Sequence, residues 1–302
     1  MRMGISVGGG TIDEVVKNVQ AAEDAGFHSA WLANIFGIDA MTAAAVAGHA
    51  TKRIELGTAV VPTYSRHPYY MAQQAMSTQA ATGGRFVLGI GLSHQIVIEG
   101  ILGLSFEKPA KHMREYLEVL MPVLADGQVE FSGDLYRVNT TFAGLERMGT
   151  TPPAVMLAAL APVMLRLAGS LTDGTITWMT GAETIESHIK PNLDKAAAEA
   201  GRPTPRIVAG VAVAVTDDVD AAREQVAQAL QIYGTLPSYR AMLDKEGAAG
   251  PADVAILGDE ETVRAGIQRY ADAGVTDFHA AVGGAITGQG DQRTLDVLKS
   301  FL

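Results

Sequence analysis

The sequence predicts an α/β fold in which eight strand–helix units close into a single (β/α)8, or TIM, barrel, with rim insertions near 126–153 and 234–256. Three observations carry this expectation. Short apolar runs of strand character alternate with helical patterns along the whole chain. Glycines stand where helices hand over to strands. The 302 residues also fall within the roughly 200 to 400 that such a barrel occupies as one unit.

Residues 2–7 read as a buried strand. Thr11 and Glu14 then have capping-box spacing ahead of Ile12, Val15, Val16 and Val19, which share one helical face. Ala25-Gly26 stops that helix, and a second strand follows at 28–32. Helix 40–50 leads into strand 54–60, and helix 69–82 passes Gly83-Gly84 into strand 85–91. Further strands are expected near 154–158, 175–179, 207–215 and 276–282. Helices near 162–171, 182–200, 217–243 and 260–273 separate and follow them, with a closing helix at 291–301. The Ala-Gly hand-over recurs at Ala273-Gly274 and more loosely at Ala200-Gly201. Strands alternating with helices imply parallel pairing, since a parallel connection needs a crossover.

Two segments break the rhythm. Val129 to Ser132, Gly133-Asp134 and Tyr136 to Val138 read as a hairpin with its turn at Gly133-Asp134. Gly234, Pro237, Gly247, Gly250 and Pro251 mark a loop-rich excursion before the last unit. Insertions at the catalytic rim of such a barrel shape substrate pockets.

The composition narrows the ligand classes. A net charge of −10 lacks the basic footprint that nucleic acid or an anionic membrane requires, which leaves small molecules. With no cysteine there is no disulfide, thiolate nucleophile or cysteine metal site. The seven histidines do not cluster at ligand spacing, so no metal is expected. The start of the chain lacks the longer apolar run of a secretory signal, and no apolar stretch approaches the roughly 18 residues of a membrane span, so the expected location is cytoplasmic. Gly8-Gly9-Gly10 invites a dinucleotide-binding reading. It lacks the G-x-G-x-x-G spacing and the acid about 20 residues later.

Gly57-Thr58-Ala59-Val60-Val61-Pro62-Thr63, His67-Pro68 and Gly84-Arg85-Phe86-Val87-Leu88-Gly89-Ile90-Gly91 resemble the third and fourth units of the bacterial luciferase-like family. Ala158 to Leu165, Thr172 to Trp178 and Leu257 to Glu261 continue the resemblance, which covers nearly the whole chain in order. Its coenzyme F420-dependent branch is the most similar. The resemblance implies one barrel domain over 1–302 and a hydride-transferring oxidoreductase that uses F420, a deazaflavin. Reduction of an activated alkene, imine or carbonyl is the expected chemistry. The alternatives are an FMN-dependent monooxygenase and a non-catalytic flavin- or deazaflavin-binding protein. The family also favours a homodimer.

The resemblance further assigns expected roles. Ala59-Val60 occupies the position of a non-proline cis peptide that backs the deazaflavin ring. Gly91 ends the Gly-x-Gly of the fourth strand. Ala159, Leu160 and Ala161 match the helix start whose amides bind the cofactor phosphate, where unpaired N–H groups and the helix dipole attract an anion. Relatives that oxidise sugar phosphates carry Asp-His at the end of strand two, where this chain has Asn34-Ile35. They carry a glutamate where it has His94. Asn34 is therefore expected to hydrogen-bond cofactor or substrate. His94, with an ordinary pKa near 6.5, is expected to donate a proton near neutrality. Trp178 and Met179 are expected over the pocket mouth. Lys108, Lys111, His112 and Arg114 form the densest basic patch, a candidate contact for the acidic cofactor tail.

Overall fold

Each expected barrel strand forms, and all of them run in the same direction. The computed structural model describes residues 1–141, 148–283, 286–287 and 292–302. In chain order β1 (Arg2–Val7), α1 (Ile12–Asp24), β2 (Ser29–Leu32), α2 (Ala40–His49), β3 (Glu55–Thr58), β4 (Val61–Pro62), α3 (Pro68–Ala81) and β5 (Phe86–Gly91) come first. Next come α4 (Gln95–Gly100), α5 (Pro109–Asp126), β6 (Gln128–Ser132), β7 (Arg137–Thr141), β8 (Ala154–Ala158), α6 (Pro162–Leu171) and β9 (Gly174–Trp178). The remainder comprises α7 (Ala182–Thr184), α8 (Lys190–Glu199), β10 (Arg206–Val215), α9 (Val219–Ala229), α10 (Pro237–Glu246), β11 (Ile256–Gly258), α11 (Glu260–Asp272), β12 (Asp277–Ala281) and α12 (Gln292–Lys299).

Parallel pairing runs β1-β2-β3-β5-β8-β9-β10-β12 and returns to β1, closing an eight-stranded ring. Local chemistry explains the starts and stops. Thr11 Oγ1 accepts from the Glu14 amide at 3.2 Å, while the Glu14 carboxylate reaches back to the Gly10 amide at 2.7 Å. Gly26 and Gly274 end α1 and α11 at φ 91° and 90°, a region only glycine enters without penalty.

Side chains fill the ring. Trp31 lies inside it with Val87, Met156, Ile176 and Val208, and Gly57 is bare because a Cβ there would sit 2.3 Å from the Trp31 ring. Arg2, Glu55, Arg206 and Asp277, the first residues of β1, β3, β10 and β12, form an ionic floor with N···O distances of 2.7 to 3.1 Å. The Asp277 side chain is only 2% exposed, so it depends on both arginines for charge compensation.

Three segments depart from the sequence reading. The helix expected over 217–243 breaks into α9, a 3-10 turn at Gln231–Gly234 and α10, because Pro237 has no amide to continue the helix and instead starts a new one. The excursion read as loop-rich therefore holds α10 and runs into β11, which pairs with Val213–Val215 beyond the ring. The hairpin β6-β7 forms with the expected turn, but it leaves from the far end of α5 and folds back along it. Backbone amides of Asp134, Leu135 and Tyr136 at its tip donate to the Glu115 carboxylate at 2.7 to 3.2 Å. Among the described residues no helix is long and apolar enough to cross a membrane.

Candidate active site

Strands β2, β3, β5 and β8 are neighbours in the ring, so positions 34, 59–60, 91–94 and 158–161 stand side by side at its carboxyl end. The chain leaves β3 through Ala59-Val60, whose peptide bond is cis, and re-pairs as β4 with Ile90 and Gly91. Thr58 Oγ1 pins this bulge by donating to the Gly89 carbonyl at 2.8 Å and accepting from the Gly89 amide at 2.9 Å. A Cβ on Gly91 would lie 2.8 Å from Val60 Cγ2 and 3.1 Å from Ala158 Cβ, so Val60, Gly91 and Ala158 meet in one low wall of small groups. Ala59 and Val60 are half-buried and Gly91 is buried.

Beside that wall α6 begins with Ala161 as its cap and Pro162 in its first turn, and no side chain bonds its leading amides. Such an end presents donors and a partial positive charge to an anion. Ala159 is buried, Leu160 half-buried and Ala161 exposed. The Leu160 carbonyl and His188 Nε2 lie 2.9 Å apart, which holds the turn in place. A flat wall next to an open helix start suits a planar ring carrying a phosphate arm.

The polar candidates divide. Asn34 Oδ1 accepts from the Ala40 amide at 2.9 Å, so its carbonyl secures the start of α2 and its Nδ2 remains as a donor. His94 caps α4 through its backbone, with Ser93 before it at φ 61°. Its ring meets those of Tyr233 and Tyr239 edge-on, both at 6.0 Å, and the two tyrosines lie 4.9 Å apart. Burial pushes the His94 imidazole below its ordinary pKa, so fewer molecules carry the acid form at neutrality than an exposed histidine would. Trp178 is half-buried at the end of β9. Met179 has φ 49°, is 1% exposed and packs among Ala212, Leu243 and their neighbours, so it lies buried behind Trp178 and not over the pocket mouth as expected.

The basic patch is divided too. His112 is buried, stacked on Tyr64 at 3.9 Å, with Nε2 3.0 Å from Thr63 Oγ1, and burial lowers its pKa to about 4 even though Glu115 raises it. Lys111 is paired with Asp134, and only Lys108 and Arg114 remain exposed. Sequence reasoning did not single out Tyr233 and Tyr239. No periodic signal marks them, and only the tertiary fold carries the excursion back over His94.

The family model described as luciferase-like monooxygenase matches residues 2–277. The chain belongs to that family. Among relatives of this luciferase-like chain, Rv3520c of Mycobacterium tuberculosis is 32% identical over 229 residues, 71% of this chain and 66% of that protein, just under two thirds of its length. Its name carries coenzyme F420-dependent oxidoreductase as a provisional description. The 5,10-methylenetetrahydromethanopterin reductase of Archaeoglobus fulgidus is 29% identical over 78% of this chain and 70% of its own. In fold, the luciferase-like barrel superposes on an F420-dependent secondary alcohol dehydrogenase with TM-score 0.81 at 18% identity, covering 100% of this chain and 98% of that one. It also superposes on the FMN-bound oxygenating component of a diketocamphane monooxygenase from Pseudomonas putida, with TM-score 0.75 at 16% identity, covering 98% of each chain.

Proposed function

We propose that this chain is an F420-dependent oxidoreductase that moves a hydride between the deazaflavin and a small organic substrate, reducing an activated alkene, imine or carbonyl. The observation that carries the reading is the low wall of Val60, Gly91 and Ala158 set beside the uncapped start of α6. Relatives named for F420 chemistry add to it.

When bound, F420 supplies or accepts a hydride at C5 of its ring. Ala59, Val60 and Gly91 give that ring a flat backing, and the α6 amides from Ala159, Leu160 and Ala161 onward receive the phosphate. Asn34 Nδ2 donates to a ring or substrate oxygen. Trp178 closes the side of the hollow, with Met179 packed behind it. His94 gives a proton to the substrate atom that would otherwise gain negative charge.

Fluorescence titration of the purified protein with F420 and with FMN in parallel tests the reading. Saturable binding of F420 and none of FMN is the expected result. FMN binding with substrate-dependent oxygen uptake would replace it with a monooxygenase. F420 binding without hydride transfer to any of a broad panel of alkenes, imines and carbonyls would leave a carrier protein.

A further inference from the structure

We infer that His94, Tyr233 and Tyr239 form an aromatic clamp selecting an uncharged, planar, conjugated substrate over a carboxylated or phosphorylated one. The inference rests on the hydride-transfer reading and names the substrate class for that site. The three rings come from the start of α4, the 3-10 turn Gln231–Gly234 and α10, so segments about 140 residues apart close on one spot. Beyond their edge-on contacts at 4.9 to 6.0 Å all three residues are only half-buried, so each keeps part of its surface open to a flat guest.

The polar atoms of this group are unspent. Among the described residues neither tyrosine hydroxyl nor the His94 ring has a hydrogen-bond partner, in contrast to Tyr270, which donates to the Thr180 carbonyl at 3.2 Å. Burial raises the pKa of both hydroxyls, so they stay protonated and can donate to a neutral carbonyl oxygen.

Charge on the same face opposes the anionic alternative. The segments that join the carboxyl ends of the ring strands to the next helices contain only two cationic residues, Arg66 and Lys108. Arg66 pairs with Asp39 through Nη2, while its buried Nη1 has no hydrogen-bond partner among the described residues. Lys108 is exposed and lies toward Asp134 at the hairpin tip. Arg240, next to Tyr239, is spent on Asp244 and on the carbonyls of Ala248 and Ala249 at 2.6 to 2.8 Å. Apolar side chains flank the rim instead, with Ile35 69%, Phe36 68% and Ile96 61% exposed. The same segments carry Asp39, Glu107, Asp217 and Asp218, so a carboxylate entering this hollow would lose water and meet a rim richer in acidic than in basic groups, a penalty that neutral rings avoid.

The test uses a matched pair of probes, 4-phenylbut-3-en-2-one and its ring para-carboxylate, with binding measured by calorimetry on the protein loaded with oxidised F420 and on the protein alone. The neutral probe is expected to bind at least about 10-fold more tightly, and Tyr239→Leu to weaken it by about as much. Tyr239→Phe is expected to keep the stacking and lose only the hydroxyl share. Equal or tighter binding of the carboxylate, or unchanged affinity in both variants with their fold verified by circular dichroism, overturns the clamp. Failure of the wild type to bind F420 overturns the cofactor reading alone, since the probe pair still decides the clamp on the unloaded protein.

Discussion

His94 is held where burial keeps its imidazole below the ordinary histidine pKa. Because burial places its pKa below the ordinary value, the acid form grows only as pH falls through that lowered value. Reductions that use its proton therefore speed up from pH 8 toward pH 5.5 and slow as pH rises. In His94→Ala this limb should vanish, with kcat/KM lower by about 10²-fold, as read from the oxidation of reduced F420. A profile unchanged in shape would remove the residue from the chemistry. The two glycines of β5 make a second, sharper comparison. A Cβ at Gly89 would stand 1.8 Å from the Thr58 carbonyl oxygen, a backbone atom, whereas one at Gly91 meets the tips of Val60 and Ala158. Gly89→Ala is accordingly expected to lose about 2 kcal/mol or more in urea unfolding. Gly91→Ala should keep most of its stability and lose F420 affinity in the fluorescence titration.

At the scale of elements, the start of α6 separates stability from binding. Ala161 has the extended backbone of a cap, φ −76° and ψ 150°, without a side chain that can cap. Ala161→Asp is expected to stabilise the helix by about 1 kcal/mol in thermal unfolding. It should also weaken binding of a phosphate-bearing cofactor by at least about 10-fold, because a carboxylate takes the amides and repels the anion. Gains in both would show that the phosphate sits elsewhere. Much of this architecture was legible beforehand. All eight ring strands and the Gly26 and Gly274 hand-overs follow from local pattern, because apolar runs and positive-φ glycines are properties of a few adjacent residues. What escaped reading depends on distant partners. β11 is three residues long and exists only through its pairing with the end of β10. The break after Ala229 is hidden because apolar residues continue past it in Leu230 and Ile232. The bond from the Ala40 amide to Asn34 is likewise visible only once the turn is built. Lys111 and His112 share a stretch of sequence but go to different neighbours, one to Asp134 and one into the Tyr64 stack.

For the molecule as a whole, two buried histidines set a lower pH limit. Burial lowers His279 to about 3 despite Asp277, and His112 to about 4 despite Glu115, against roughly 6.5 in the unfolded chain. Both are neutral when folded, so their stabilising contribution is complete above pH 6.5. It is lost as pH falls toward 4 and then 3, because the unfolded chain takes up protons first. Thermal scans from pH 7.5 to pH 5 should show a falling Tm, and His112→Gln should make that fall shallower. Its equal steepness would assign the acid lability to other groups.

The ring of charges formed by Arg2, Glu55, Arg206 and Asp277 closes the amino end of the barrel, and Trp31, Val87, Met156, Ile176 and Val208 plug the space above it. Whatever binds this fold therefore arrives and leaves across the segments that follow the strands, and never through the opposite end.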